Sequence, residues 1–273
     1  MKVLISCSKT KKSDPESNLV WTEGVTTSSW LKSIEDPKIP RFHPKELYSG
    51  RSTSQQIRIL ESFNLDIWFV SAGMGVLDGK EDDCKIPSYE ASFSSGSGGP
   101  SETQWSEMHS SSVAELGKGE NTLLLIPAPY LRVLEPSLTP FARKMITFDR
   151  GSSLVKYGAM VIDLHPRIRE VIGCAASDYW TEVLKLVLPG GVASKKLKEV
   201  NRKANQLPER ELRTRVSDLE LLQIINSLPD SVSSAQKAVR YVRDVKNIAA
   251  QDKRIFSCWK MRERETITRS KKI

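Results

Sequence analysis

Val3-Leu4-Ile5, Ile67-Trp68-Phe69-Val70 and Thr122 to Ile126 (TLLLI) are short, unbroken apolar runs, each closed by polar residues or proline. Runs of that length without alternation are buried on both faces, as strands of a parallel sheet are. Met145-Ile146-Thr147-Phe148-Asp149 and Ala159 to Leu164 supply further strands. Between the runs lie segments of helical period, about 52–63 with Ile57 and Leu60 on its apolar side, and about 103–116. This alternation over residues 1–175 predicts an α/β domain with a central, mostly parallel sheet flanked by helices.

From residue 177 the pattern turns almost wholly helical. A helix over 177–187, the turn Leu188-Pro189-Gly190-Gly191-Val192-Ala193, and a helix from Ser194 to about Asn205 resemble a degenerate helix-hairpin-helix. Such a hairpin grips a phosphate backbone through its amides and nearby cations, here Lys195, Lys196, Lys198 and Arg202. Ser217-Asp218-Leu219-Glu220 is a capping box that opens a helix through Leu228. Pro229-Asp230 breaks it, and the next helix carries Ala235, Val239 and Val242 as a core stripe, with Lys237, Arg240 and Arg243 off it. With the extended Asn247 to Ala250 behind it, this pair is similar to a helix-turn-helix or winged-helix unit. The expected division is therefore an α/β catalytic domain over 1–175 and a basic helical, nucleic-acid-binding domain over 176–273.

Charge sharpens that division. The 273 residues carry a net +8, but residues 1–150 hold 17 Lys+Arg against 19 Asp+Glu while residues 151–273 hold 24 against 14. A polyanion attracted to this protein meets mainly the second half, so DNA is the expected partner and protein partners stay undetermined. At 39% hydrophobic and 27% charged, the composition is that of a folded globular chain. Cys7, Cys84, Cys174 and Cys258 are far apart with no C-x-x-C, which signals neither a zinc site nor a disulfide framework. No signal-peptide core or membrane span is evident, and a cytoplasmic protein is expected.

Most standard catalytic signatures are absent, including the Walker loop, GxGxxG, HExxH and GxSxG, so no cofactor and no metal is expected. His43, His109 and His165 are isolated in sequence and suit surface or structural places. The low-complexity tract 92–101 reads as a flexible surface loop. What remains is a set of polar clusters at strand ends, expected on one edge of the sheet. They are Ser6 to Lys11, Tyr48-Ser49-Gly50-Arg51, Ser71 to Asp78, and Pro87-Ser88-Tyr89-Glu90.

The order C-S-x-x-K, L-Y-S-G, S-A-x-x-G-x-L-D, P-x-Y-E resembles the superfamily of the YaaA peroxide-stress proteins and the DUF6884-type phage and bacterial proteins. The motifs cover about residues 1–95. The YaaA-like form of the first motif places its lysine at Lys9. The C-S-x-x-K form, similar to the core motif of archaeosine synthases, places it at Lys11. The resemblance implies DNA binding through a helix-hairpin-helix, and chemistry on a nucleobase in DNA or tRNA, including excision of modified bases in phage defence. Residues 235–254 are similar to a tail of DUF6884-containing proteins.

For a base in DNA, N-glycosidic cleavage needs a carboxylate near the sugar, a positioned nucleophile, and groups that accept charge on the leaving base. Asp78 is the expected carboxylate, with Asp82 and Asp83 as alternatives; a solvated acidic turn is the other reading of all three, and the better one for Asp82 and Asp83. Lys9 and Lys11 suit phosphate or base contact, and a desolvated lysine is alternatively an amine nucleophile. Tyr48 and Tyr89 suit stacking on a flipped base or core packing. The amides around Gly73 and Gly75, with Ser8, Ser49, Arg51 and Ser71, suit substrate contact. Cys7 suits a small buried residue or, beside a lysine, a nucleophile. The expected function is a DNA glycosylase for a modified base. The alternatives are a non-enzymatic DNA-binding stress protein and a base-modifying transferase.

Overall fold

The computed structural model describes residues 1–273 apart from 81–83, 93–97, 109, 191–193, 210–212 and 271–273, with backbone alone at 110–111 and 263–270. The chain divides into two compact units, Met1–Leu207 and Pro208–Ile273. In the first unit the elements run β1 (Lys2–Ser6), α1 (Thr27–Ile34), β2 (Arg41–Phe42), α2 (Pro44–Leu47), α3 (Arg51–Ser62), β3 (Asp66–Ser71), β4 (Gly75–Asp78) and β5 (Ile86–Pro87). They continue as α4 (Glu102–Glu107), α5 (Ser110–Gly117), β6 (Thr122–Leu125), α6 (Ala128–Leu138), β7 (Met145–Thr147), β8 (Met160–Val161), α7 (Ile168–Ile172), α8 (Tyr179–Val187) and α9 (Lys195–Asn205).

The main sheet has the order β4-β3-β1-β6-β7-β8. All neighbours pair parallel except β3 and β4, which form an antiparallel edge hairpin. Among the parallel strands alone, the chain starts in β1, steps one way to β3, then crosses to β6 on the other side. β1 and β6 therefore flank the point where strand order reverses, the place where doubly wound sheets open a crevice at their carboxyl edge. The apolar runs supply both faces. Val3, Ile5, Ile67, Phe69, Leu123 and Leu125 point into one core, which Ile57 and Leu60 of α3 and Val183 and Leu184 of α8 cover. Leu4, Trp68, Val70 and Leu124 point into the other, beneath α5 and α6.

Three features depart from the sequence pattern. The division falls at Leu207 and not at 175, because α8 and α9 bury Val183, Leu184, Val187 and Leu197 in the core shared with β1 and β3. The helix expected over 103–116 is two helices, α4 ending at its cap Met108 and α5 beginning at Ser110. Helix α6 was masked in the sequence by Pro127, Pro129 and Pro136; Pro129 sits in the first turn, where a missing N–H breaks no helical bond.

The second unit contains β9 (Thr214–Arg215), α10 (Asp218–Asn226), α11 (Ala235–Arg240), a π turn at Tyr241–Val245, β10 (Ile248–Ala249) and α12 (Asp252–Ser270). The expected capping box forms. Ser217 Oγ accepts from the Glu220 amide at 3.3 Å, and the Glu220 carboxylate accepts from the Ser217 amide at 2.8 Å. Leu221, Ile225, Ala238, Val242, Ile255 and Trp259 make its core, with Ala235 and Val239 packed at the margin. The strands β9 and β10 pair parallel, unlike the antiparallel hairpin of a wing. Among the described residues no helix is long and apolar enough to cross a membrane.

Candidate active site

The segment after β1 enters the crevice at once. The Cys7 amide bonds the Val70 carbonyl at 2.8 Å, extending the ladder by one residue. The chain then pairs with the end of α2: Lys12 N donates to Leu47 O at 3.0 Å, Ser49 N donates to Thr10 O at 3.2 Å, and Lys11 and Tyr48 form an isolated antiparallel bridge. Ser88 Oγ donates to Ser13 O at 2.5 Å and so ties the Tyr89 segment to the same loop. Helix α3 approaches this loop closely at Gly50, where a Cβ would lie 2.1 Å from Ser8 Oγ and would force that hydroxyl to turn away.

These contacts bring Cys7, Lys11, Tyr48, Ser71 and Tyr89 together at the carboxyl edge of β1 and β3. Tyr48 and Tyr89 are almost wholly buried, and their hydroxyls lie 2.7 Å apart. The Tyr89 hydroxyl also makes a short bond to Ser71 Oγ, which accepts from the Gly73 amide at 3.3 Å. Two indoles fix the β3–β4 tip: Trp105 Nε1 donates to Ser71 O at 2.7 Å and Trp30 Nε1 to Gly73 O at 2.6 Å. Buried tryptophans pack and bond at once, so the tip is held from both sides.

Gly73 leaves no room for a side chain. A Cβ there would stand 2.7 Å from the Tyr89 ring and 3.1 Å from Trp30, both buried and hydrogen-bonded. Gly73→Ala is expected to lower stability by about 1–3 kcal/mol through overpacking. Thermal unfolding followed by circular dichroism checks this, and an unchanged midpoint would mean that the Tyr89 ring is free to move.

Burial dominates the electrostatics. It pushes the Cys7 thiol up, against the lowering effects of Lys11, the Ala72 amide, and the Ser71 and Tyr89 hydroxyls. It also pushes Tyr48 and Tyr89 well above the usual phenol range. Lys11 moves the other way. Loss of water lowers its amine below the ordinary lysine value, opposed by Cys7 and Glu90. Its Nζ stands 4.5 Å from the centre of the Tyr89 ring. Tyr130, in the first turn of α6 just beyond β6, reaches Cys7 from the side of β1 opposite β3. Its hydroxyl is raised by burial and bonds Cys7.

Tyr130 carries no role in the sequence reading, although it follows a buried strand at Ile126-Pro127-Ala128-Pro129 just as the Cys7 loop follows β1. The missing information is strand order, which alone makes β6 the neighbour of β1. Glu90 ends the P-x-Y-E motif, and its carboxylate lies close enough to Lys11 to favour the charged amine.

Asp78 does not join the cluster. In β4 it pairs with Trp68, three residues back along β3 from Ser71, or about 10 Å toward the amino edge. It lines a separate cavity of about 370 Å³ with Lys2, Asp66, Trp68, Lys80 and Glu115. The reason is the hairpin: Gly75, at φ +68°, reverses the chain, so the rest of the S-A-x-x-G-x-L-D motif runs back down the sheet. Asp82, Asp83 and His109 lie outside the described residues, as do Gly191, Val192 and Ala193 of the expected hairpin. Lys9 and Ser49 are exposed, and Arg51 pairs with Asp178 at 3.2 Å. His43 accepts from the Lys45 amide at 3.4 Å and His165 from the Arg167 amide at 3.1 Å, both local structural bonds.

No family model, curated protein or solved structure matches this chain. The resemblance to YaaA-like proteins thus rests on the four short motifs. Residues of all four meet at Cys7, Lys11, Tyr48, Ser71 and Tyr89; the Asp78 end of the third does not.

The cations assigned to DNA divide by environment. Lys195, Lys196, Lys198 and Arg202 are exposed on one side of α9, opposite the buried Leu197 and Ala204. In the second unit Lys237 and Arg240 are exposed, but Arg243 donates to the Ala250 carbonyl at 2.7 and 3.2 Å and pairs with Asp252, which makes it a structural brace.

Proposed function

We propose that the protein is a DNA glycosylase that excises a modified nucleobase, with Lys11 as the amine nucleophile. The observation that carries this reading is a lysine partly drawn out of water at the carboxyl edge of β1 and β3, its amine over a tyrosine ring among buried hydroxyls and a thiol. A lysine whose charged form is disfavoured offers a neutral amine at lower pH than a solvated one. The amine nitrogen attacks C1′ of the sugar, and the N-glycosidic bond breaks with its electron pair going to the base. The proton lost by the nitrogen leaves with the base, the sugar ring opens to an imine, and water releases Lys11 and an abasic site. Glu90 faces the amine and suits the cationic sugar in the transition state.

The test is incubation with plain and phage-modified duplex and single-stranded DNA, with and without borohydride. Expected are alkali-labile sites in a modified substrate and, with borohydride, a covalent protein–DNA adduct that maps to Lys11. Absence of both on every modified substrate would overturn the proposal. Alkali-labile sites without an adduct would replace the amine by an activated water.

A binding-only reading is favoured by one observation independent of the cluster, the exposed basic side of α9. Charge reversal at Lys195, Lys196 and Lys198 is expected to weaken DNA retention and flatten its salt dependence by about one unit of slope per lost phosphate contact. Salt-titrated filter binding measures it, and an unchanged slope would remove α9 from the interface. Retention without base release from any substrate would favour the binding-only reading.

A further inference from the structure

The carboxyl edge carries a second group of residues that the Lys11 chemistry leaves unused. Phe148 follows β7 directly, and its ring centre lies 5.2 Å from that of Trp180, whose own lies 5.0 Å from Tyr179. All three are only partly buried. Register fixes their place. Ile5 pairs with Leu125 and Leu124 with Thr147, so Phe148 stands level with Ile5, two strands or about 10 Å across the sheet and two residues short of Cys7 along the strand direction. The alternation that sends Ile146 and Phe148 to the α3 and α8 face puts them on the side where Tyr48 and Tyr89 lie.

Cations border the group. Arg51 is exposed beside Asp178 at the start of α8, and Arg169 is exposed and close enough to Tyr179 to lower its hydroxyl against the effect of burial. Asn201 of α9 is bonded to the loop after β8, accepting from His165 N at 3.0 Å and donating to Asp163 O at 2.8 Å. That tie anchors α9 to the loop at the carboxyl end of β8.

We propose that Phe148, Trp180 and Tyr179 form a stacking platform for an unpaired nucleotide of the DNA strand whose target base enters the Lys11 crevice. The inference rests on the proposed glycosylase reading for its ligand, though not for its test. Partly exposed aromatic rings beside cations are the arrangement that holds single-stranded nucleic acid, with bases on the rings and phosphates on the charges. Separation from Cys7 by two strand spacings leaves room for one nucleotide step between the crevice and the platform.

The experiment compares two fluorescein-labelled strands of equal length and charge, oligothymidylate and an abasic-spacer analogue, binding to the full chain by anisotropy. The wild-type protein is expected to prefer the base-bearing strand. Trp180→Ala is expected to lose about tenfold in affinity for oligothymidylate with little change for the abasic strand, and Trp180→Phe to keep most of the preference. Lys11→Ala, which disables base release, is expected to leave the preference intact, so failure of the glycosylase chemistry and failure of the platform read out separately. Equal binding of both strands by the wild type, or equal losses on both in Trp180→Ala, would overturn the platform. Tyr179→Leu gives a second variant if Trp180→Ala unfolds, and an unchanged preference in it would count the same way.

Discussion

Replacing Lys11 with methionine is expected to lower base release by about three orders of magnitude or more while leaving DNA retention within about twofold. Methionine keeps most of the unbranched stem that packs on Tyr89 and removes the amine, so the change isolates chemistry from packing. Single-turnover release on a modified substrate gives the rate. Asp78→Asn, at the other end of β4, is expected to retain activity; loss there with retention in Lys11→Met would return the catalytic role to the carboxylate. The pH profile carries the sign of the shift. In the proposed mechanism the reactive form is the neutral amine, so the rate is expected to rise with pH as Lys11 loses its proton. Because burial lowers that amine, the rise levels off below the ordinary lysine value of about 10.4. A profile flat from pH 6 to 9 would argue against an amine nucleophile.

The second large effect concerns stability in alkali. Cys7, Tyr48 and Tyr89 all have folded-state pKa values above their unfolded ones, with burial the main cause in each. Above the unfolded value of each group the native state binds more protons than the unfolded chain, so unfolding free energy falls as pH rises. The stabilisation is complete below about pH 8.5 and fades first through Cys7, then above about pH 10 through the two phenols. Each group held protonated steepens the fall by up to about 1.4 kcal/mol per pH unit. Urea unfolding from pH 8 to 11 measures the slope. Tyr48→Phe is expected to cost about 1 kcal/mol at neutral pH, through the lost bond to Tyr89, and to make the alkaline slope shallower. An identical slope in wild type and in the Tyr48→Phe, Tyr89→Phe double variant would show that these hydroxyls ionise as freely as in the unfolded chain.

The excess charge shows how local and tertiary information interact. The second half of the sequence is basic, yet the excess belongs to both units: residues 151–207 hold 9 Lys+Arg against 5 Asp+Glu, and residues 208–273 hold 15 against 9. The cations of α9 therefore sit on the α/β unit itself. A helix's polar side is legible in sequence, but the unit to which it contributes its apolar side depends on Leu197 finding the core of β1 and β3.

The strands β1, β3 and β6, the helices α3, α9 and α10, the capping box at Ser217 and the α/β class are all legible in the linear pattern, because hydrophobic period and cap chemistry act within one or two turns of chain. The same pattern brings forward Cys7, Lys11, Tyr48, Ser71 and Tyr89 as polar residues at strand ends. Which of them meet depends on the folded sheet. The hairpin at Gly75 carried Asp78 away down the sheet, strand order put Tyr130 opposite Cys7, and α8 brought Trp180 to Phe148. Local pattern records what each residue prefers to be near, water or core. Strand order and chain reversal are set by the packing of the whole sheet, and they choose the neighbours that turn a half-buried lysine into a candidate nucleophile.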